Sequence, residues 1–154
     1  MKEAIGGTGI LIIAILFILL FGGFLSAAAN YSKAFKVKNE IVNIIERNKG
    51  FAIDGSSNST LNEIYDYMAE VGYRTTGSCD GDGWIGYNIN SYSETYTNPM
   101  ICIKSVNLTS DSIEVPDYAY YQVRVFYQMD IPVFKMLFHF RIEGTTKQII
   151  FPAG

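Results

Sequence analysis

Ile10-Leu11-Ile12-Ile13-Ala14-Ile15-Leu16-Phe17-Ile18-Leu19-Leu20-Phe21 is the centre of a run, Ala4 to Ser32, that contains no charged residue. A helix needs roughly 20 apolar residues to cross the hydrocarbon of a bilayer, and only a helix there satisfies its own backbone hydrogen bonds. The run is longer than that and reads as a transmembrane segment near the N-terminus. Gly22, Gly23, Ser26 and Ala27 place small residues at i and i+4 on adjacent stripes, the spacing that lets a second helix approach closely in lipid. The same residues also fit plain tolerance of glycine in membrane helices, so both readings stand here. Lys2, the apolar core and Ala27-Ala28-Ala29 follow the layout of a cleavable signal peptide as well.

Against cleavage, the helical pattern does not stop at the alanines. Ala34, Val37, Ile41, Ile44 and Ile45 recur at helical spacing, while Lys33, Lys36, Lys38, Glu40, Asn43, Glu46 and Arg47 take the other face. One continuous helix is therefore expected over residues 5–48, its first half in lipid and its second half packed on a domain, with Lys49-Gly50 ending it. Thr60-x-x-Glu63 has the form of a capping box, and Leu61, Ile64, Tyr65, Met68 and Val71 carry a short second helix that Gly72 closes. After Gly72 the period changes to two. Strands are expected around Trp84 to Ile89 and Met100 to Leu108. A hairpin follows, in which Tyr121, Val123, Val125, Tyr127 and Met129 face one way and Gln122, Arg124 and Gln128 the other. Its second strand alternates Met136, Phe138, Phe140 and Ile142 with Lys135, His139, Arg141 and Glu143. Pro132 suits the connection, and Gln148 to Phe151 adds an edge strand.

The chain has 154 residues and a formal net charge of −3, with 11 Tyr, 10 Phe and 2 Cys. Without a basic stripe, nucleic-acid binding is set aside. Cys79 and Cys102 lack Cys-x-x-Cys spacing and nearby His, so they read as a disulfide, with two buried thiols as the alternative. Asp80 and Asp82 lie in a Gly-rich turn that loosely follows a calcium loop, but the Glu that such a loop carries at its twelfth position is missing, with Asn90 and Ser91 there. His139 stands among Lys135 and Arg141 with no acid or nucleophile placed beside it, and Asp111, Glu114 and Asp117 are scattered. The reading is of a chain with no catalytic, metal or cofactor site.

A half-apolar, half-amphipathic N-terminal helix, Gly9 to Ala29 continuing to Arg47, precedes a β-rich domain. The domain ends in a late hairpin, Tyr121 to Ile142, with Gly144-Thr145-Thr146 after it. This plan resembles type IV pilins and pseudopilins, and most of all the TadE/TadF-like minor pilins of tight-adherence systems. Those families carry a glutamate shortly after the processing site, whereas Glu3 here precedes Gly6-Gly7. The resemblance implies an α+β fold: residues 1–32 as the transmembrane segment, 33–50 as its amphipathic continuation and 51–154 as an extracytoplasmic β-rich domain. It also implies a structural subunit of a filament or secretion apparatus. Its partners would be membrane lipid, copies of itself or related pilin-like subunits, and assembly platform proteins. The competing readings are a lone anchored adhesion or ligand-binding domain and an accessory subunit of an export or conjugation system. Topology is contested within the sequence. Lys33, Lys36 and Lys38 outweigh Lys2, which by the positive-inside rule keeps the domain in the cytoplasm. The disulfide reading and the pilin-like plan place it outside, with the N-terminus cytoplasmic.

Overall fold

A computed structural model describes residues 2–51, 59–89, 93–94, 97–108, 117–131 and 136–151. Helix α1 runs from Lys2 to Arg47 without interruption, 46 residues and so roughly 69 Å in length. No proline occurs within it, and it passes through Ala27 to Asn30 unbroken. Its two halves live in different surroundings. From Gly6 to Gly22 every residue is exposed, whereas Ala34, Val37, Ile41, Ile44 and Ile45 form a buried stripe. Gly23 and Ala27 extend that stripe toward the N-terminus and are also buried within this single chain.

The stripe lies on an antiparallel sheet that has six strands among the described residues. They are β1 (Ile85–Asn88), β2 (Ser93–Glu94), β3 (Ile101–Leu108), β4 (Asp117–Ile131), β5 (Met136–Thr145) and β6 (Ile149–Phe151). The order is β2-β1-β3-β4-β5, and β6 pairs with β4 beyond the end of β5. The expected hairpin is present, with Val125 opposite Ile142 and Ile131 opposite Met136; Pro132 lies outside the described residues. β5 and β6 share one side of β4 because Thr146 interrupts them. Its N–H donates to the Tyr121 carbonyl and its hydroxyl accepts from the Tyr121 N–H, both at 2.9 Å, so the side chain stands in for a strand carbonyl. Tyr121, Val123 and Val125 of β4 meet the helix stripe, joined by Ile101 and Ile103 of β3.

Helix α2 (Ser59–Glu70) packs beside α1 through Leu61, Ile64, Tyr65 and Met68. The capping-box expectation is corrected in detail. Glu63 instead reaches the end of α1, accepting from Asn48 Nδ2 at 2.8 Å and from Arg47, and the Thr60 hydroxyl donates to the Gly50 carbonyl. The Asn48 hydrogen bond, with help from Arg47, holds the Glu63 carboxyl below its ordinary value. Both helices end in the same way. Tyr73 N–H returns to the Met68 carbonyl and Gly50 N–H to the Ile45 carbonyl, the six-to-one bond of a Schellman motif. In α2 the left-handed residue is Gly72, at φ 61°. In α1 it is Lys49, at φ 56°, with Gly50 one place later than the usual position.

The opposite face of the sheet is covered in part, by the segment from Gly77 to Trp84, which the chain reaches by passing Tyr73 at the end of β3. The Tyr73 hydroxyl donates to the Phe126 carbonyl at 2.6 Å and accepts from the Phe126 N–H at 2.8 Å. It thereby supplies the strand partner that β4 lacks, since the β3 ladder stops at Val125. Burial pushes this phenol well above its ordinary range. Gly77 crosses directly over the Phe126 ring, where an added methyl would overlap the ring carbons. Two substitutions should therefore move stability in opposite directions when unfolding in detergent is followed by the fluorescence of Trp84, the sole tryptophan. Lys49→Gly relieves a left-handed side chain and is expected to stabilise by about 0.5–1 kcal/mol. Gly77→Ala drives a methyl into a buried ring and is expected to cost about 1–3 kcal/mol.

Candidate functional site

Thirteen large apolar side chains between Ile10 and Leu25 are exposed, at 43–71% of their full area. Moving each from water to hydrocarbon is worth about 1–3 kcal/mol, and together this exceeds the net stability of a typical domain. The free half of α1 is therefore the largest reservoir of interaction energy on the molecule. Among the described residues it belongs to the one helix long and apolar enough to cross a membrane, with a mean hydropathy of 2.9. Of the four small residues singled out for helix packing, Gly22 and Ser26 lie on the exposed surface, with open space where a Gly22 side chain would be. Gly23 and Ala27 face inward, Ala27 at 8% exposure.

Where the uncharged run ends, the helix meets the hairpin. Asn30 Nδ2 donates to the Gln128 carbonyl at 2.9 Å, and the Tyr31 ring meets Tyr127 edge-on at 5.5 Å. Tyr127 stacks on Phe140 at 5.1 Å, and Tyr31 on Phe35 at 6.2 Å. Two of the first lysines meet the domain. Lys33 Nζ donates to the Gly72 carbonyl at the C-terminus of α2, where the helix dipole favours a cation, and the Lys38 stem lies against Gly144 of β5 while its ammonium sits over the Phe35 ring of its own helix.

The second polar cluster sits on the far face of the sheet. Cys102, Arg124 and Glu143 are lateral neighbours on β3, β4 and β5. Cys102 is bonded to Cys79 with a Cα–Cα separation of 5.6 Å, so the expected disulfide forms. Arg124, only 5% exposed, donates through Nε to Glu143 at 2.9 Å and through Nη1 to the Asp80 carbonyl at 3.0 Å. Its guanidinium also lies 4.0 Å from the centre of the Trp84 ring. The strand period puts Arg124 on a polar face, where solvent is expected. It is instead buried under the 79–84 loop, and nothing in the alternation of β4 signals that cover.

The acidic residues of the loops and the single histidine take separate places. Ser78 donates to the Asp80 carboxylate at 2.7 Å, and His139 is exposed on β5, lining an open cleft with Ser78, Asp80 and Phe126. Asp82 offers its carbonyl to Lys104 Nζ at 2.8 Å. Asp111 and Glu114 lie outside the described residues, and Asp117 opens β4. Among the described residues no three His, Cys, Asp or Glu side chains come together as metal ligands. No family model, no curated protein and no solved structure matches this chain.

The geometry distinguishes a structural arginine from a surface one. Arg124→Ala strips a half-buried ion pair, a loop hydrogen bond and the Trp84 contact, and is expected to lower stability by about 2–4 kcal/mol. Arg141, 56% exposed and 3.7 Å from the same Glu143, should change it by less than about 0.5 kcal/mol when replaced by Ala. Denaturant unfolding of both variants under identical detergent conditions checks the contrast.

Proposed function

We propose that this chain is a non-catalytic, membrane-anchored structural subunit of the pilin and pseudopilin type, nearest to TadE/TadF-like minor pilins. It works by associating with copies of itself or related subunits through the free half of α1. The observation that carries this reading is the division of one unbroken helix. Residues from Ala34 onward form the core of a folded domain, while Gly6 to Gly22 stand wholly outside it. A helix used only to stabilise the domain has no need of the second part. In lipid there is no hydrophobic drive between helices, so association relies on close backbone approach and dispersion, which exposed Gly22 and Ser26 favour.

In this reading the N-terminus is cytoplasmic and the domain extracytoplasmic, supported by the Cys79–Cys102 disulfide, which persists in oxidising compartments. The hydrogen bond of Lys33 to Gly72 and the packing of the Lys38 stem at Gly144 give those side chains a structural role, which weakens their vote for a cytoplasmic domain. The second reading, a lone anchored adhesion or ligand-binding domain, draws support from Gly23 and Ala27, half of the small-residue set, being covered by their own chain.

Crosslinking in native membranes separates the two. The wild type is expected to give crosslinked dimers and higher species, and Gly22→Leu to reduce their yield roughly tenfold at unchanged domain fold, a loss within about 1–2 kcal/mol. A wild type that stays monomeric, or a Gly22→Leu variant that crosslinks equally well, contradicts assembly and favours the lone domain.

A further inference from the structure

Helices α1 and α2 run antiparallel. Glu63, near the start of α2, meets Arg47 and Asn48 at the far end of α1, and the Gly72 carbonyl, just past the end of α2, meets Lys33 Nζ. The second helix thus ends level with the first lysine of α1. At this end the two helices leave an open cleft of about 380 Å³ between them. Its apolar lining is Ala29, Val37 and Val71, and its polar lining is Ser32, Lys33, Lys36 and Tyr67. The α1 members follow the three- and four-residue spacing of one helix face, and Ser32, Lys33 and Lys36 are exposed on it.

Charge along this cleft changes with height. Among the described residues neither Lys33 nor Lys36 takes part in an ion pair, so both ammonium groups keep their charge uncompensated. Glu40 follows Lys36 by one turn, roughly 6 Å farther from the N-terminus. Burial, with Glu40 and Glu70 adding to it, holds the Tyr67 phenol above its ordinary range, so it stays a protonated donor. An anion in the cleft therefore finds ammonium and hydroxyl donors at the lower end and a carboxylate above, which confines it to the lower end.

Depth identifies the anion. Glu3 and Lys33 are 30 residues apart, roughly 45 Å of helix, which matches a bilayer of about 40–45 Å with its headgroup layers included. With Lys2 and Glu3 in one headgroup layer, Lys33 and Lys36 fall in the other. Below the cleft the same helix face continues through Leu25, Gly22 and Ile18, all uncharged and exposed, with open space beside Gly22. A free phosphate would use only the lysines. A phospholipid uses both parts, its phosphate on the ammonium groups and an acyl chain on the apolar stripe beneath them.

We propose that the cleft between α1 and α2 at Lys33 and Lys36 holds the headgroup of an anionic phospholipid, whose acyl chain lies along Leu25, Gly22 and Ile18. This rests on the membrane-spanning reading of α1. Each lysine near a bilayer surface favours an anionic lipid about fivefold. A lipid gripped between the two helices fixes the height of the domain above the bilayer, which a bare apolar rod leaves free to slide.

The test uses the full chain with Leu25→Trp, an exposed position on that stripe, and reads tryptophan quenching by lipids with brominated acyl chains. Trp84, on the far face of the sheet, contributes a constant background. Vesicles made wholly of brominated phosphatidylcholine control for the anchor and are expected to quench Leu25→Trp strongly. In plain phosphatidylcholine vesicles with a minor brominated component, phosphatidylglycerol is expected to quench with a relative affinity about tenfold or more above phosphatidylcholine. Adding Lys36→Gln is expected to lower that preference about fivefold. Lys49→Gln, the same charge change just past the far end of α1, is expected to leave it as it is. Ile18→Trp serves if Leu25→Trp does not insert. Strong quenching in the first vesicles without a phosphatidylglycerol preference in the second overturns the lipid site and leaves the anchor intact. Absence of quenching in both overturns the anchor as well. A preference that survives Lys36→Gln, or that Lys49→Gln lowers equally, is a response to net charge and overturns the site. Loss of the preference in inorganic phosphate at constant ionic strength assigns the cleft to a free anion and also overturns the proposal.

Discussion

The structure depends on the docking of one helical stripe, Ala34, Val37, Ile41, Ile44 and Ile45, on the inner face of the sheet. Each of these side chains is almost wholly removed from water, and each belongs to a helix whose other half is apolar all round. The sheet cannot bury its inner face without α1, and α1 cannot leave the sheet without exposing that stripe. The domain is thereby built around the same helix that carries the exposed apolar half. Any force on that half passes directly into the core, because no flexible linker intervenes between Phe21 and Ile45.

The outer face is held by a different device. A row across three strands, Cys102, Arg124 and Glu143, grips the loop that carries Cys79, Asp80 and Trp84, by a covalent bond, an ion pair, a carbonyl hydrogen bond and a cation–ring contact. Closing a loop of 23 residues by a disulfide contributes about 3 kcal/mol in the chain-entropy picture. In a domain of this size that is a substantial share of a net stability of about 5–15 kcal/mol. The same loop then delivers Tyr73 and Gly77 to the end of β3, where β4 would otherwise show unpaired backbone. Helix on one side and stapled loop over β3 and β4 on the other cover a sheet whose strands alternate as if one face were wet, and that face stays wet at His139, Arg141 and Glu143 of β5.

That mismatch explains how much of the molecule was legible beforehand. The helix continued past the alanines because its apolar period continued, and the hairpin, the α2 helix and the final edge strand all carry strong local patterns. The disulfide followed from the composition. Three features were not legible. The cover over Arg124 is a long-range contact made by a loop with no period of its own. Glu63 fits a capping box by spacing, yet in space the end of α1 presents Arg47 and Asn48 to it, and charge-assisted partners win over a local backbone N–H. The two-residue strand β2 is too short to leave a pattern at all. In the candidate assembly region, spacing identified Gly22, Gly23, Ser26 and Ala27 as one set, but only the tertiary structure shows Gly23 and Ala27 buried and Gly22 and Ser26 exposed.

The central claim is mechanical continuity: a single helix that is a bare apolar rod at one end and core at the other. Hydrogen exchange on the full chain in lipid bicelles addresses it most directly. Amides from Ile10 through Ile45 are expected to exchange slowly as one protected block, those before Gly22 shielded by lipid and those after Ala34 by the sheet, with no fast interval between. Rapid exchange over several residues around Ala27 to Asn30 would contradict the account, since it would make the anchor and the domain two bodies joined by a hinge.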